Sequence, residues 1–184
     1  MRNFSGYSKK AKWRVLTTND TPMLEAALKD SETDDLKCFF SSFEKLKTEK
    51  DIRNHIYNCV MQVEFLQGGL WGILDFAEKK LLGCIYIDKV DWERDSLSLG
   101  FWLSVPARGK GLFTELLPEF VKDLLHYWKM NRVEVITALS NEKCNALLER
   151  TGFVKEGVAR EYAKIGEKRE DFAVYSLIFS DLPK

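Results

Sequence analysis

Apolar positions along this chain alternate between two rhythms. Short apolar runs bounded by polar or glycine-rich stretches read as strands; segments where apolar residues return every three or four positions read as helices. Trp13 to Thr17 (WRVLT) is the first expected strand. Asp20 precedes Thr21 and Pro22, which predicts an N-cap with proline in the first turn of a helix running through Met23, Ala26 and Ala27 to about Asp30. Residues 31–50 are acidic and then rich in phenylalanine. From about Thr48 to Leu66, Ile52, Ile56, Cys59, Val60 and Val63 mark a second helix, stopped by Gly68 and Gly69. LWGILDF (70–76) and LLGCIYID (81–88) flank the turn Ala77–Lys80 and predict a β-hairpin. Lys89–Asp95 is charged and is expected to be a solvated hairpin tip before the strand LSLGFWLS (97–104).

A long amphipathic helix is predicted from Leu112 to about Lys129. Its stripe is Leu112, Leu116, Phe120, Leu124 and Trp128, with Leu117, Val121 and Leu125 beside it and Pro118 inside it. VEVITAL (133–139) is a strand, and Asn141–Thr151 a short helix closed by Gly152. Phe153–Val158 and Phe172–Phe179 are the last strands, joined by a polar loop holding Tyr162 and Gly166. The order β-α-α-β-β-β-α-β-α-β-β is mixed α/β, neither a barrel repeat nor a doubly wound fold. Residues 1–12 are expected to form a loose N-terminal arm.

Charge narrows the function. Lys plus Arg is 28 and Asp plus Glu is 28, so the formal net charge is zero. A protein held on nucleic acid by phosphate neutralisation carries a basic excess, and this chain has none. No apolar run is long enough for a membrane helix, and the basic N-terminus lacks the apolar core of a secretory signal. Cys38, Cys59, Cys84 and Cys144 are widely spaced, with no CxxC pair, which argues against a zinc site or a disulfide framework. The reading is a cytoplasmic protein with reduced thiols and no metal.

The strongest local feature is GFWLSVPARGKGLFTE (100–115), in which a strand ends, a loop with two glycines turns and a helix begins. Such a turn aims main-chain N–H groups at one point and adds the positive end of the helix dipole, which makes a phosphate cradle. Arg108 and Lys110 would add charge. A Walker loop fails because Ser104 stands at its first glycine and Gly111 follows Lys110. A Rossmann fingerprint fails because Thr114 stands at its third glycine and repeated βαβ units are missing. Arg108-Gly-Lys-Gly111-Leu-Phe113 resembles the acyl-CoA loop of the GNAT acetyltransferases, Gln/Arg-x-x-Gly-x-Gly/Ala, at its first and fourth positions; Phe113 departs at the sixth.

The resemblance extends further. Gly100-Phe-Trp-Leu103, Thr114-Glu115, Asn131-Arg-Val-Glu134, Asn141 to Phe153, Glu156-Gly157 and Asp171 to Leu177 are similar to motifs of the ribosomal-protein N-acetyltransferase type (RimJ/RimL) of the GNAT superfamily. The likeness is specific over about residues 82–180. It implies one N-acetyltransferase domain across residues 1–184, with a central twisted mixed sheet flanked by helices and splayed between strands 97–104 and 133–139. Acetyl-CoA would enter the splay as cosubstrate. Main-chain groups of Phe101, Trp102 and Leu103 would pair with pantetheine, and the Leu103 N–H would polarise the thioester carbonyl. Arg108, Gly109, Lys110, Gly111, Leu112, Phe113 and Thr114 would hold the pyrophosphate, and Asn141 would bond pantetheine.

The chemistry implied is direct attack of an amine on the thioester, which needs a proton donor for the leaving thiolate. Cys144 stands where the family carries Ser, and is either that donor or a packed residue. Leu148 occupies the position of a Tyr donor in many relatives, and Ser98 that of a strand Glu. Tyr175 and Tyr162 are alternative donors. Glu115 is best explained as a complement to the helix dipole, and neither His55 nor His126 has a partner evident in sequence. Acceptor specificity would come from residues 21–66 and 160–170, with Phe39, Phe43, Trp71 and Tyr162 as candidate contacts; packing is the favoured explanation of Phe39, Phe40 and Phe43. The expected acceptor is the α-amino group of a protein N-terminus, with a small amine (an antibiotic, an aminoacyl toxin or a polyamine) as the alternative. A non-catalytic CoA-binding regulatory module is the competing class. The protein is expected to act as a monomer or homodimer, without nucleic acid or membrane.

Overall fold

The computed structural model describes residues 4–30 and 46–182. Eight strands form one sheet: β1 (Gly6–Tyr7), β2 (Lys12–Val15), β3 (Gly69–Leu74), β4 (Leu81–Asp91), β5 (Ser96–Leu103), β6 (Arg132–Ala138), β7 (Val154–Ile165) and β8 (Lys168–Ile178). Among the described residues the helices are α1 (Thr21–Lys29), α2 (Glu49–Glu64), α3 (Leu112–Trp128) and α4 (Glu142–Arg150). The strand order is β1-β2-β3-β4-β5-β6-β8-β7. Every neighbouring pair is antiparallel except β5–β6, which is parallel.

Two apolar layers sandwich the sheet, as the alternation of side chains along each strand requires. On one face α3 packs its whole predicted stripe, from Leu112 to Trp128, against Trp71, Ile73, Ile85, Leu97, Leu99 and Phe101. On the other, α1 and α2 bury Leu24, Ala27, Ile52, Ile56 and Cys59 against Leu70, Leu74, Cys84 and Trp102. Strand β3 is buried on both faces, which is why its sequence is an unbroken apolar run. Helix α2 starts at a reciprocal cap: Thr48 Oγ1 accepts from the Asp51 N–H at 3.2 Å, and the Thr48 N–H donates to Asp51 Oδ2 at 2.9 Å. Asp20 precedes α1 as expected, but its side chain does not cap it. Burial works to raise the Asp20 pKa; hydrogen bonds from Arg14 Nη1 at 2.7 Å and the Thr17 N–H at 2.8 Å outweigh that and lower it.

The structure departs from the sequence reading in three places. From Phe4 onward the N-terminal arm is packed, not loose. Phe4 is buried with its ring 5.1 Å from those of Trp71 and Phe120, and Trp71 Nε1 donates to the Phe4 carbonyl at 3.0 Å. A single apolar residue has no periodicity to betray it. Second, the polar stretch containing Tyr162 is strand rather than loop. β7 and β8 run to a two-residue turn at Gly166–Glu167, with a bulge that sets Arg160, Glu161 and Tyr162 against Asp171. Strand β7 is the sheet edge and is exposed along most of its length, so no apolar alternation marks it. Third, β4 continues to Asp91, and the hairpin tip is anchored. Trp92 stacks 6.2 Å from Trp128, and its Nε1 donates to the Leu66 carbonyl at 3.0 Å.

Two motifs quoted above meet in one ion-pair network. Arg132, from Asn-Arg-Val-Glu, bonds Glu134 Oε1 at 2.7 Å and Glu156 Oε1 at 2.8 Å, and Ser176 Oγ donates to Glu156 Oε1 at 2.8 Å. The Arg132 guanidinium first, and the Ser176 hydroxyl second, hold the Glu156 carboxyl down at about 2. A carboxylate whose folded pKa lies below its unfolded value stabilises the fold above the unfolded pKa, and that contribution is lost as pH falls through the folded one. The urea midpoint of the wild-type protein should therefore carry a component that declines between pH 4.5 and 2. In Glu156→Gln that component should be absent, leaving a shallower acid limb.

Candidate active site

The site begins where the sheet fails to close. Strands β5 and β6 pair only at Ser96↔Arg132, Leu97↔Val133 and Ser98↔Glu134. Beyond that, β5 pairs with β4 alone as far as Leu103, and β6 pairs with β8 alone as far as Ala138. The Ser104 N–H donates to the Leu82 carbonyl at 2.9 Å, which fixes which residues of β5 face β4. Main-chain groups alternate along a strand, so those of Gly100 and Trp102 face β4, and those of Leu99, Phe101 and Leu103 face the opening. Arg108 Nε reaches the Leu103 carbonyl at 3.0 Å from that side. A main-chain edge of this kind, set between two strands, calls for a hydrogen-bonding partner.

The loop that follows turns the chain from β5 into α3. Ser104 is buried and bonds back to Leu82 through Oγ at 3.1 Å, and Val105–Ala107 makes one 3-10 turn. Gly109 (φ 73°) and Gly111 (φ 65°) both lie in the left-handed region, where a side chain is strained. Gly111 is the N-cap position of α3 and supplies no side-chain cap, so the first-turn N–H groups stay available. A Cβ on Gly109 would meet no protein atom within 4 Å. That side of the loop is therefore open. Lys110 Nζ folds onto the Pro106 carbonyl at 2.6 Å. Leu112 and Phe113 are buried, which leaves only their main chain for a ligand; the Phe113 ring lies 4.8 Å from that of Phe101, so the departure from Gly/Ala is absorbed by the core. Thr114 is exposed.

Sequence reasoning missed Lys10. Its Nζ lies 2.9 Å from the Lys110 carbonyl and 2.9 Å from Glu115 Oε1, across the mouth of the loop. Glu115 therefore has a charged partner as well as a helix dipole. No signal within a lone surface lysine links it to a loop a hundred residues away.

Helix α4 starts just past the end of β6, with Asn141 at its N-cap. Asn141 Oδ1 accepts from the Cys144 N–H at 3.2 Å, so half of the side-chain amide is spent on the cap. Asn145, also missed, ties the preceding turn together by donating to the Ala138 carbonyl at 3.0 Å and the Asn141 carbonyl at 2.8 Å. Cys144 is 8% exposed, and burial pushes its thiol up to about 11 against a hydrogen bond from Thr137 on the splayed part of β6. The Tyr175 hydroxyl is bonded to Asn145 Oδ1 at 3.1 Å and Glu149 Oε1 at 3.2 Å, and the ring is fully buried; this residue fixes α4 to β8. Leu148 is fully buried beside it.

Several expected site residues lie elsewhere. Trp71 is fully buried, its ring locked against Phe4, Phe120 and Trp128, and cannot touch an acceptor. Trp102 sends its main chain to β4 and its side chain into the α1–α2 layer, so only Phe101 and Leu103 of that trio face the opening. Phe39, Phe40 and Phe43 lie outside the described residues. His55 sits on α2 with Nε2 3.6 Å from Cys59 Sγ, and burial lowers its pKa; His126 donates from Nδ1 to the Lys122 carbonyl at 2.8 Å, in the last turn of α3, remote from the loop. Tyr162 is exposed on the β7 bulge, 5.1 Å from Phe172, beside an open hollow lined by Arg160, Glu161 and Asp171. Phe172 pairs with Ala138, the last residue of β6, so this hollow lies toward the same end of the sheet as the splay but on the far side of β6 from it.

No helix among the described residues is long and apolar enough to cross a membrane. Residues 13–154 match the family model described as Acetyltransferase (GNAT) domain. Among curated relatives, YdaF of Bacillus subtilis is 31% identical over 98 residues, covering 53% of this chain and 54% of that protein. The ribosomal-protein-serine acetyltransferase of Escherichia coli is 21% identical over 133 residues, covering 72% and 73%. The chain thus spans about half the length of the first of these relatives. Mycobacterium smegmatis RimJ, solved with a CoA disulfide, superposes with a TM-score of 0.86 at 15% identity, covering 100% of this chain and 93% of that one. The microcin self-immunity acetyltransferase MccE, solved with acetyl-CoA and AMP, gives 0.83 at 17% identity over 93% of both chains. At those identities the solved structures speak for the fold alone, but the family model covers most of the chain. The mixed eight-stranded sheet shares the fold of these solved structures, and by the family match over residues 13–154 the chain belongs to the GNAT acetyltransferase family.

Proposed function

We propose that this protein transfers the acetyl group of acetyl-CoA to a primary amine in a ternary complex, and that the acceptor is the α-amino group of a protein N-terminus. The observation that carries the transfer reading is the three-pair contact between β5 and β6 ending at the two-glycine turn. It leaves a strand-like edge for pantetheine and an anion cradle for pyrophosphate at its end. The acceptor reading is supported by the ribosomal-protein-serine acetyltransferase among the relatives.

In this reading the neutral amine attacks the thioester carbon. The carbonyl oxygen gains charge, and the Leu103 N–H, aimed into the opening, stabilises it. The tetrahedral centre collapses, the C–S bond breaks, and the amide nitrogen gives its proton to solvent. The departing CoA thiolate takes a proton from Cys144, which regains one from solvent, so the proton lost by the nitrogen and the one gained by the leaving sulfur cancel; burial, which raises this thiol to about 11, opposes the donation, and the Thr137 hydrogen bond favours it. Cys144→Ala should then lower kcat by at least roughly tenfold, while Cys144→Ser, which keeps an O–H donor, loses much less. Equal rates for Ala and wild type would make Cys144 a packing residue.

Release of CoA thiol from acetyl-CoA, measured against a panel of N-terminal peptides, aminoglycosides and polyamines, tests the whole reading. Turnover with peptides supports it, and turnover with small amines alone would replace the acceptor. Tight binding of acetyl-CoA with no turnover for any amine would instead identify a CoA-binding module.

A further inference from the structure

We propose that Lys10, delivered by the N-terminal hairpin, is a phosphate-binding residue of the acetyl-CoA site and that Glu115 competes with the ligand for it. The inference rests on the acetyl-CoA reading above and adds to it a residue from outside the resembling segment.

The hairpin is built to hold Lys10 in place. The Ser8 N–H donates to the Ala11 carbonyl at 2.8 Å, and Ser8 Oγ accepts from the N–H groups of Lys10 at 3.1 Å and Ala11 at 3.3 Å. Ala11 is fully buried, and Phe4 anchors the other end of the arm under Trp71. Little backbone entropy is left to lose when a ligand binds. The lysine Nζ stands 3.3 Å from the position a Cβ would take on Gly111, the residue that opens α3. It is therefore at the lip of the cradle, beside the first-turn N–H groups.

Charge gives the second line of argument. Lys10, Arg108 and Lys110 converge on one loop at the positive end of a helix. Lys10 answers this with Glu115 Oε1 and the Lys110 carbonyl, two acceptors for three ammonium protons. The other carboxylate oxygen, Glu115 Oε2, is buried and without a hydrogen-bond partner among the described residues. Like charges gathered on one loop repel one another in the empty protein, with only the Glu115 carboxylate to offset them, and a phosphate arriving at the loop relieves that repulsion. That phosphate is either the pyrophosphate or the ribose 3′-phosphate of the ligand; both offer the same charged oxygens to an ammonium.

Equilibrium binding of acetyl-CoA and of 3′-dephospho-acetyl-CoA to four proteins tests this. Lys10→Met should raise the Kd for acetyl-CoA roughly tenfold, as loss of a charge-assisted contact does, and flatten its salt dependence. Lys10→Arg should restore most of the affinity. Glu115→Gln should tighten binding by about threefold, because it removes a competitor and a like charge. If the Lys10→Met effect vanishes with the dephospho ligand, the 3′-phosphate is the partner; if it persists, the pyrophosphate is. Unchanged acetyl-CoA affinity in Lys10→Met would overturn the proposal. So would weakening in Glu115→Gln that matches Lys10→Met, since the pair would then be a strut for the hairpin. Failure of the wild-type protein to bind acetyl-CoA would instead remove the cofactor reading itself.

Discussion

Gly109→Asn should leave the protein nearly as stable as wild type and remove most of its affinity for acetyl-CoA. Asparagine tolerates the left-handed region better than other side chains, so the backbone at φ 73° can persist at a cost of about 1 kcal/mol or less. The Cβ of the new side chain has no non-neighbouring protein atom within 4 Å, so no clash at that atom adds to the backbone cost. The side chain then enters the space that the ligand phosphate is expected to use. The expected loss is roughly hundredfold in Kd, equivalent to about 2.7 kcal/mol. Thermal unfolding and acetyl-CoA titration of the same preparation check both halves. Affinity within threefold of wild type, on a protein of unchanged stability, would falsify the placement of the pyrophosphate at this loop.

Phe120→Ala should be among the most damaging single substitutions to the fold. Phe120 is fully buried on α3, with its ring 5.1 Å from Phe4 and 6.0 Å from both Trp13 and Trp71. Truncation removes its own transfer energy and leaves a ring-sized void between aromatic neighbours that cannot collapse easily. The expected cost is about 3–5 kcal/mol, read as a lowered urea midpoint with an unchanged slope. The effect should reach the site as well. Phe4 rests on this ring, and the hairpin that carries Lys10 is held through Phe4. A loss below about 1 kcal/mol would mean that this aromatic cluster is far more plastic than its packing indicates.

How much of this was legible in the sequence follows from where information is local. The stripe of α3, the three-and-four spacing of α2 and the apolar runs of β3 to β6 are local patterns, and their elements formed within a few residues of the expected limits. The two-glycine turn was legible because only a few chemistries need free N–H groups between strand and helix. The splay itself came from family resemblance, since strand pairing is a relation between distant residues and leaves no mark in either strand. The same reason hid Lys10 behind residues that looked like a loose tail. Trp71 was misplaced because a large aromatic on a strand can face the core or a ligand equally well, and only the burial of Phe4 against it decides the matter. Polar composition was read as loop over 159–171, where an exposed edge hairpin has no apolar face to display.

The three rungs that join β5 to β6 have a consequence for cooperativity. A sheet normally resists opening because each strand is stitched to its neighbours along its whole length. Here the stitching is nearly interrupted at one seam, and α3, packed across Leu97, Leu99 and Phe101 on one side and Val133 and Val135 on the other, is the splint that spans it. The two halves of the sheet are then expected to open from each other along this seam more readily than within themselves, with one helix clasping them. A molecule that fills the seam should stiffen that junction and so tie occupancy of the site to the rigidity of the whole sheet.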